Sequence, residues 1–435
     1  MSKETRKIKR NLDAIIRQMV KNKGNFVKNP EKDFTHKRKL SLKSTLNFLL
    51  SMGGKSLSCE LLEHFNYSAD AATSSALIQQ RNKINESALP FLFRKFTNTV
   101  SNFKSHKGYR ILATDGSALN ISANPQDEDT YFQSNPDSKG YNQLHLNTIY
   151  DLCNKLYTDI LIQPRRKMNE NRALVDIIDR SSFSEKTIII GDRGYESYNA
   201  FAHIEQKGYK YAIRIKDVNS SGILRGLELP KTGEFDTQID IKLTRRQTNE
   251  IKENPNIYRF LPSNSTFDYL ERKSKEIYSI SFRVVRFEIT PGKYECIATN
   301  LENDEFSPAE IKQLYRMRWG IETSFRELKY SIGLVNLHSK KAELVEQEIY
   351  ARFIMYNFCS LVVRAVAIKQ KSTKFAYKAN FTMAVQVCKS LLKRKISCDK
   401  VDPLIQKYIL PIRENRTNVR NVSAKSFVCF NYRVA

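Results

Sequence analysis

The sequence predicts a mixed α/β protein with a strand-and-helix core, a β-rich insertion, and helical N- and C-terminal regions. Three observations carry this reading. Short apolar, β-prone runs end on aspartates near residues 115 and 192. Between and after them, apolar residues recur at helical spacing. The stretch from Asp217 to Tyr294 returns to strand-like alternation and turn dipeptides.

Taken in order, residues 1–100 read as helical and basic. "SLKSTLNFLLSM" and "SLSCELLEHF" carry apolar residues at helical spacing, and "ADAATSSALIQQRNKIN" follows a turn at Asn66 to Asp70. Two short helices around a turn have the form of a helix-turn-helix, the later one basic and polar enough for a DNA groove; a plain helical bundle is the alternative. "YRILATDGSAL" changes the period: Tyr109 to Thr114 reads as a buried strand that stops at Asp115-Gly116. "NQLHLNTIYD" and "KLYTDILIQP" read as two further strands in a meander. "NENRALVDIIDRSSF" is an amphipathic helix, and "KTIIIGDRGYES" is a buried strand ending on Asp192. "YNAFAHIEQKG" is a helix and "YKYAIRIKD" a fifth strand, giving the order β-β-β-α-β-α-β.

Within the insertion, "FDTQIDIKLTRRQ" and "IYSISFRVVRFEIT" alternate as strands, and "ECIATNL" is one more. "SPAE" at Ser307 to Glu310 then reads as a capping box with Pro at the first helical position, and Gly333 suits a C-terminal cap. Between them, at about 100° per residue, Leu314, Met317, Ile321, Phe325, Leu328 and Ile332 form one apolar stripe. Tyr315, Arg318, Glu322 and Lys329 form a polar stripe against its edge, whereas Glu327 falls on the far side and should be solvated. "VEQEIYARFIMYNFCSLVVRAVAI" is a strongly apolar helix, and "IRENRTNVRNVSAKSFVCFNYRVA" is a basic tail with interleaved aromatics.

Composition narrows the function. The 435 residues carry a net charge of +26, which points to a polyanionic partner, above all nucleic acid. The charge is concentrated at the ends. Residues 1–50 hold 14 Lys/Arg against 4 Asp/Glu, a net of +10, and residues 389–435 hold 11 against 3, a net of +8. The seven cysteines are scattered and the six histidines dispersed, which argues against a zinc site or a disulfide framework and for a reducing compartment. No apolar run reaches the length of a membrane span, so no membrane partner is expected.

Asp115, Asp192 and Glu322 are the candidate catalytic and metal-ligating residues. An Asp-Gly after a strand is common turn chemistry, and a lone helical Glu is usually solvated. Two strand-end aspartates followed by a half-sheltered glutamate make a different pattern. Three carboxylates at a cleft would bind two hard divalent cations, Mg²⁺ or Mn²⁺, through oxygen. Such a pair activates a water or sugar hydroxyl and stabilises the leaving oxygen of a phosphodiester.

The order β-β-β-α-β-α with these three acids resembles the ribonuclease-H-like core of DDE transposases. Tyr315, Arg318, Glu322 and Lys329 match the signature Y-x2-R-x3-E-x6-K without a gap, which resembles the insertion sequence 4 family of bacterial transposases. "TDGS" around Asp115 and "GDRGY" around Asp192 are similar to that family's two Asp motifs. The spacing of 130 positions between Asp192 and Glu322 leaves room for the β-rich insertion known in that family.

The resemblance implies a cut-and-paste transposase of the bacterial cytoplasm, associated with the nucleoid and using two Mg²⁺ or Mn²⁺ ions per active site. Tyr315, Arg318 and Lys329 would grip DNA phosphates, with Arg193 and Arg326 as looser candidates. Its partners would be double-stranded DNA with terminal inverted repeats, target DNA, and a second copy of the chain in the DNA complex. The implied division is 1–105 for DNA binding, 106–216 for the first part of the core, 217–295 for the insertion, 296–340 for core completion and 341–435 for the C-terminal region. Hairpin-forming relatives hold a flipped base with aromatics that include a Trp in the insertion. This chain's single Trp is Trp319, read as packing beside the site, while the insertion offers Tyr258, Phe260, Tyr269 and Tyr278. The rival readings are a metal-dependent nuclease or resolvase without strand transfer, and an inactive transposase-derived DNA-binding protein.

Overall fold

A computed structural model describes residues 3–183, 186–370 and 375–413. Most of the basic tail lies outside the described residues.

Five helices open the chain: α1 (Lys3–Lys21), α2 (Leu42–Ser51), α3 (Leu57–His64), α4 (Ser74–Arg81) and α5 (Ala88–Thr97). Ser41, Ser56 and Thr73 cap α2, α3 and α4 by accepting from backbone N–H groups of the first turn. Then come β1 (Arg110–Ile121), β2 (Tyr131–Phe132), β3 (Tyr141–Asp151), β4 (Leu156–Pro164), α6 (Glu170–Arg180), β5 (Thr187–Gly191), α7 (Tyr198–Gln206) and β6 (Lys210–Ile215). The next stretch contributes β7 (Phe235–Thr244), α8 (Asn249–Glu253), β8 (Tyr258–Phe260), β9 (Ile277–Thr290) and β10 (Lys293–Thr299). Helices α9 (Pro308–Arg316) and α10 (Trp319–Arg326) follow, continued by a π-helical turn at Glu327–Ile332. The described chain ends with α11 (Ala342–Ala365), β11 (Tyr377–Ala379), α12 (Phe381–Leu392), α13 (Val401–Lys407) and β12 (Ile409–Pro411).

Ten strands make one sheet in the order β2-β3-β1-β5-β6-β10-β9-β7-β8, with β4 also paired to β3. β3 runs antiparallel to β1, and β5 and β6 run parallel to it. The insertion strands extend the same sheet, because β10 pairs antiparallel with β6 and with β9.

Strand alternation sends neighbouring residues to opposite faces. Ala113, Leu119 and Ile121 of β1 join the core that holds α1, α2, α5, α10 and α11. Leu112 joins the opposite core under α6 and α7. Helix α9 covers Ile111, Ile188, Ile190 and Ile297 through Ile311 and Leu314. Helix α11 is apolar nearly all round and buried accordingly, packing against α1, α2, α5 and α12. No helix among the described residues is long and apolar enough to cross a membrane.

Two expectations need correcting here. β1 does not stop at Asp115-Gly116; pairing with β3 carries it on to Ile121. Turn chemistry loses to the continuous ladder that a neighbouring long strand supplies. The basic residue within α4, Arg81, is wholly buried and bonded to Glu348 Oε1 (2.9 Å) and to the Leu344 carbonyl (2.7 Å). Helix α4 therefore spends its charge inside the protein and offers no cation to a DNA groove.

Candidate active site

The place of Asp115 follows from the strand ladders. β1 stays paired with β3 through Asp115↔Thr148 and beyond, but its parallel pairing with β5 ends at Ala113↔Ile190. Past that point one edge of β1 is released. Continuing the register by two positions sets Asp192 opposite Asp115, since both pairs differ by 77. Adjacent strands lie about 4.8 Å apart, so the two aspartates occupy one corner of the sheet. Alternation turns Asp115, like Ala113, toward α10, and gives Asp192 the same side as Ile188 and Ile190. Each carboxylate is anchored by a backbone donor: Gly116 N–H reaches Asp115 Oδ1 and Gly194 N–H reaches Asp192 Oδ1, both at 2.8 Å.

Glu322 comes from the helix above. The expected apolar stripe is there: Leu314, Ile321, Phe325, Leu328 and Ile332 are buried. The expected capping box at Ser307 and Glu310 is present. Gly333 closes the segment at φ 97°, a left-handed conformation that suits glycine. The segment is not one uniform helix, because α9 ends at Arg316 and α10 begins at Trp319. Its π turn carries Lys329, whose Nζ donates to the Ala118 carbonyl of β1 at 2.9 Å. α10 is thereby clamped along β1 from above.

Arg318 is buried and donates through Nη2 to Glu322 Oε1 at 2.9 Å, while Glu322 is half-buried. The guanidinium also lies 5.7 Å from the Tyr315 ring and 5.3 Å from the Trp319 ring. Tyr315 Oη and Arg318 Nε are both buried; burial pushes the Tyr315 hydroxyl up, and the neighbouring Arg318 charge acts against that push.

The remaining candidates separate. Arg193 is exposed in the turn after Asp192. Arg326 lines a cavity of about 730 Å³ on the α11–α12 side of α10, together with Lys155, Arg364 and Lys378; Asp115 does not line it. Trp319 does not pack: it is 54% exposed at the start of α10. Glu327 is not solvated, because Tyr356 from α11 closes over it and donates to its Oε2 at 3.0 Å. A helical wheel knows nothing of the second helix, whose Tyr356 lies 29 positions further along the chain. In the insertion, Tyr269 and Tyr278 pack on each other and on Phe267.

Electrostatics join the three acids. Burial raises the Asp115 carboxyl most, the Gly116 N–H opposes it, the charge of Asp192 raises it further, Arg318 opposes, and Glu322 raises it. The result is about 7. Asp192, Arg318 and Glu322 thus share one electrostatic neighbourhood with Asp115. As they stand, no three His, Cys, Asp or Glu side chains among the described residues are gathered to hold a metal ion. The donor chemistry nevertheless fits a hard divalent cation: oxygen ligands only, and a carboxyl pushed up by burial and like charges that a cation would relieve.

Sequence reasoning missed one group. On the face of the sheet opposite Asp115, buried His145 places Nε2 2.8 Å from Glu170 Oε1, near enough for an ion pair though bent away from hydrogen-bond geometry. Both groups sit directly behind Gly116, where an added Cβ would meet them at 2.3 and 2.4 Å. The one sequence signal was a histidine on the alternating face of "NQLHLNTIYD"; Glu170 reads as an ordinary helix start.

Comparison with known proteins bears on the whole. The model of the family described as "Transposase DDE domain" matches residues 106–358, more than half of the chain. The chain is similar to the transposase InsG for insertion sequence element IS4 of Escherichia coli strain K12, with 24% identity over 76% of this chain and 69% of that one. It is also similar to the transposase for insertion sequence element IS421 of Escherichia coli, 34% identical over 17% of this chain and 20% of that one. Among solved structures, the piggyBac transposase synaptic complex with hairpin DNA aligns over 96% of this chain and 86% of that one. Its TM-score is 0.45 at 8% identity, too loose a likeness to bear on the fold.

Proposed function

The chain belongs to the DDE transposase family and is an enzyme of DNA cleavage and strand transfer; on that premise we propose that Asp115, Asp192 and Glu322 are its catalytic carboxylates. The observation that carries the assignment is the register that brings Asp192 opposite Asp115 where β1 outruns β5, beside the helical segment of Glu322 that Lys329 ties to β1. The segment from β1 to β6 is read as a ribonuclease-H-like core, supported by β3 antiparallel to β1 with β5 and β6 parallel to it. Residues 1–105 and 341–435 are assigned to helical regions flanking that core, 217–295 to an insertion and 296–340 to its completion. The joining of β10 to β6 supports an insertion fused to the core sheet rather than hung from it.

Two Mg²⁺ or Mn²⁺ ions, when held by the three carboxylates, would supply an activated nucleophile and charge stabilisation at the scissile phosphodiester. The protein's part is to arrange the strand. Arg318 now neutralises Glu322; on DNA binding it exchanges part of that bond for a phosphate, which frees a Glu322 oxygen. Tyr315, packed beside the Arg318 guanidinium, is assigned to the same phosphate contact. Lys329, held on the Ala118 carbonyl, adds a point charge further along the stripe. Arg193 and Arg326 are assigned to more distant backbone contacts. The DNA is double-stranded with terminal inverted repeats, cut at both ends and pasted into target DNA by a dimer of the chain. The net charge of +26 supports a long-range electrostatic component to this binding.

The test is incubation of the protein and Mg²⁺ with DNA carrying the element's ends, wild type beside Asp115→Ala. Excised and joined products that vanish in the variant, by on the order of 10³-fold or more (about 4 kcal/mol), support the assignment. Cleavage without joining indicates a nuclease, and a metal-independent mobility shift with no cleavage indicates a binding protein.

A further inference from the structure

A polar layer lies on the face of the sheet turned away from the carboxylates. In the β1–β3–β4 registers, Gly116 faces Asn147, Ala118 faces His145, and His145 faces Gln163. Alternation therefore puts His145, Asn147 and Gln163 on the same side as Gly116, beneath the first turn of α6. Gln163 Oε1 accepts from Asn147 Nδ2 and from the Asn169 backbone N–H, both at 3.0 Å, and the Asn169 side chain caps α6 at Arg172 N–H. The layer thus fixes where α6 starts. A polar layer this buried is costly in a sheet core and calls for a reason.

From that start, two residues reach the turn that holds Asp192. Asn171 Nδ2 donates to the Gly194 carbonyl at 3.0 Å. Glu170 lies between β3 and the turn: Oε1 is 2.8 Å from His145 Nε2, and Oε2 would meet a Cβ at Gly194 at 3.4 Å. Gly194 is the residue whose N–H holds the Asp192 carboxylate. At Gly116, next to Asp115, His145 and Glu170 fill the space a side chain would take.

Resting on the function proposed above, we infer that His145 and Glu170 are positioning residues. They brace Asp192 against Asp115 from behind, setting the distance between two carboxylates that must share cations. The chain of contacts runs from β3 through His145 to Glu170, and from the first turn of α6 to the Gly194 turn and Asp192. Neither residue touches DNA or the reacting atoms.

The experiment uses the full chain with His145→Leu, Glu170→Ala, Glu170→Gln and the double variant His145→Leu/Glu170→Ala. Three readouts are taken: end cleavage, affinity for the uncleaved end without metal, and the Mn²⁺ concentration that half-maximally raises the unfolding temperature. His145→Leu and Glu170→Ala should each lower cleavage about 10- to 100-fold and raise the Mn²⁺ midpoint by a similar factor. Metal-free unfolding temperature and DNA affinity should stay at wild-type values. The double variant should be no worse than the poorer single one, as expected for one unit. Glu170→Gln, which keeps the size and polarity, should restore most of the activity.

Wild-type cleavage and an unshifted Mn²⁺ midpoint would overturn the inference. So would a loss that tracks an equal fall in metal-free stability, since that describes a merely structural pair. Asp115→Asn is run in parallel: activity retained there sinks the functional assignment itself, whereas activity lost there with normal pair variants sinks only the brace.

Discussion

Two sheltered carboxylates of this protein, one buried and one half-buried, have opposite fates. Glu348, on α11, is fully enclosed, and burial pushes its carboxyl up more than any other single cause. The charge of Arg81 and the bonds from His338 more than reverse this and hold it down to about 2. Its donors are Arg81 Nη1 at 2.9 Å, Ser339 Oγ at 2.7 Å and His338 N–H at 2.8 Å. Asp115 is half-buried, but two of its near charges are other acids, and with the cost of burial it rises to about 7. The helical cluster is complete and joins α4 to α11; the carboxylate corner has one cation, Arg318, for three acids that act on one another. A buried acid with its own full set of donors is held charged, whereas one beside other acids is pushed toward its neutral form.

The largest expected effect separates the two regions by stability. Arg81→Ala leaves Glu348 buried and unpaired, which should cost about 3–5 kcal/mol in urea unfolding. Asp115→Asn in metal-free protein should lose nothing and gain stability at neutral pH. Equal destabilisation of both variants would erase the distinction.

A second effect, somewhat smaller, has opposite signs at the two sites. Asp115 has a folded value of about 7 against 3.8, so its contribution is present below about pH 4 and lost as pH rises through 7. That is up to about 4 kcal/mol across the window in metal-free protein, and it should vanish in Asp115→Asn. Glu348, at about 2 against 4.5, contributes above about pH 4.5 and loses that contribution as pH falls toward 2. This amounts to about 3 kcal/mol. Urea midpoints between pH 3 and pH 8, for wild type and Asp115→Asn, read out the first; a flat difference between them would refute it.

The smallest effect sharpens the view of the corner itself. Arg318→Lys keeps the charge but loses the fork that holds Glu322 and presents Nε. End cleavage should fall by up to about 10²-fold (about 2.7 kcal/mol) with stability unchanged. Unchanged cleavage would make Arg318 a partner of Glu322 alone.

Much of this was legible in the chain. The strand runs, the capped helix and its apolar stripe are local patterns, written by side-chain periodicity and capping chemistry that need no distant partner. Where reading failed, a distant segment had intervened. β3 drew β1 past its Asp-Gly, α11 closed over Glu327, and Arg81 turned inward because Glu348 waits 267 positions away. Trp319 stands exposed where packing was expected, since no element arrives to cover it among the described residues.

The sequence by itself determined the kind of chemistry: three acids in order, a basic chain, and a Tyr-Arg-Glu-Lys stripe at helical spacing. Residue type and short-range spacing suffice for that. Only the tertiary structure decided that β1 outruns β5 so that two aspartates meet at a released edge, that Arg318 holds Glu322, and that His145 and Glu170 stand behind Gly116. Those depend on register between strands and on which faces meet, and such facts arise only when segments far apart in the chain bury one another.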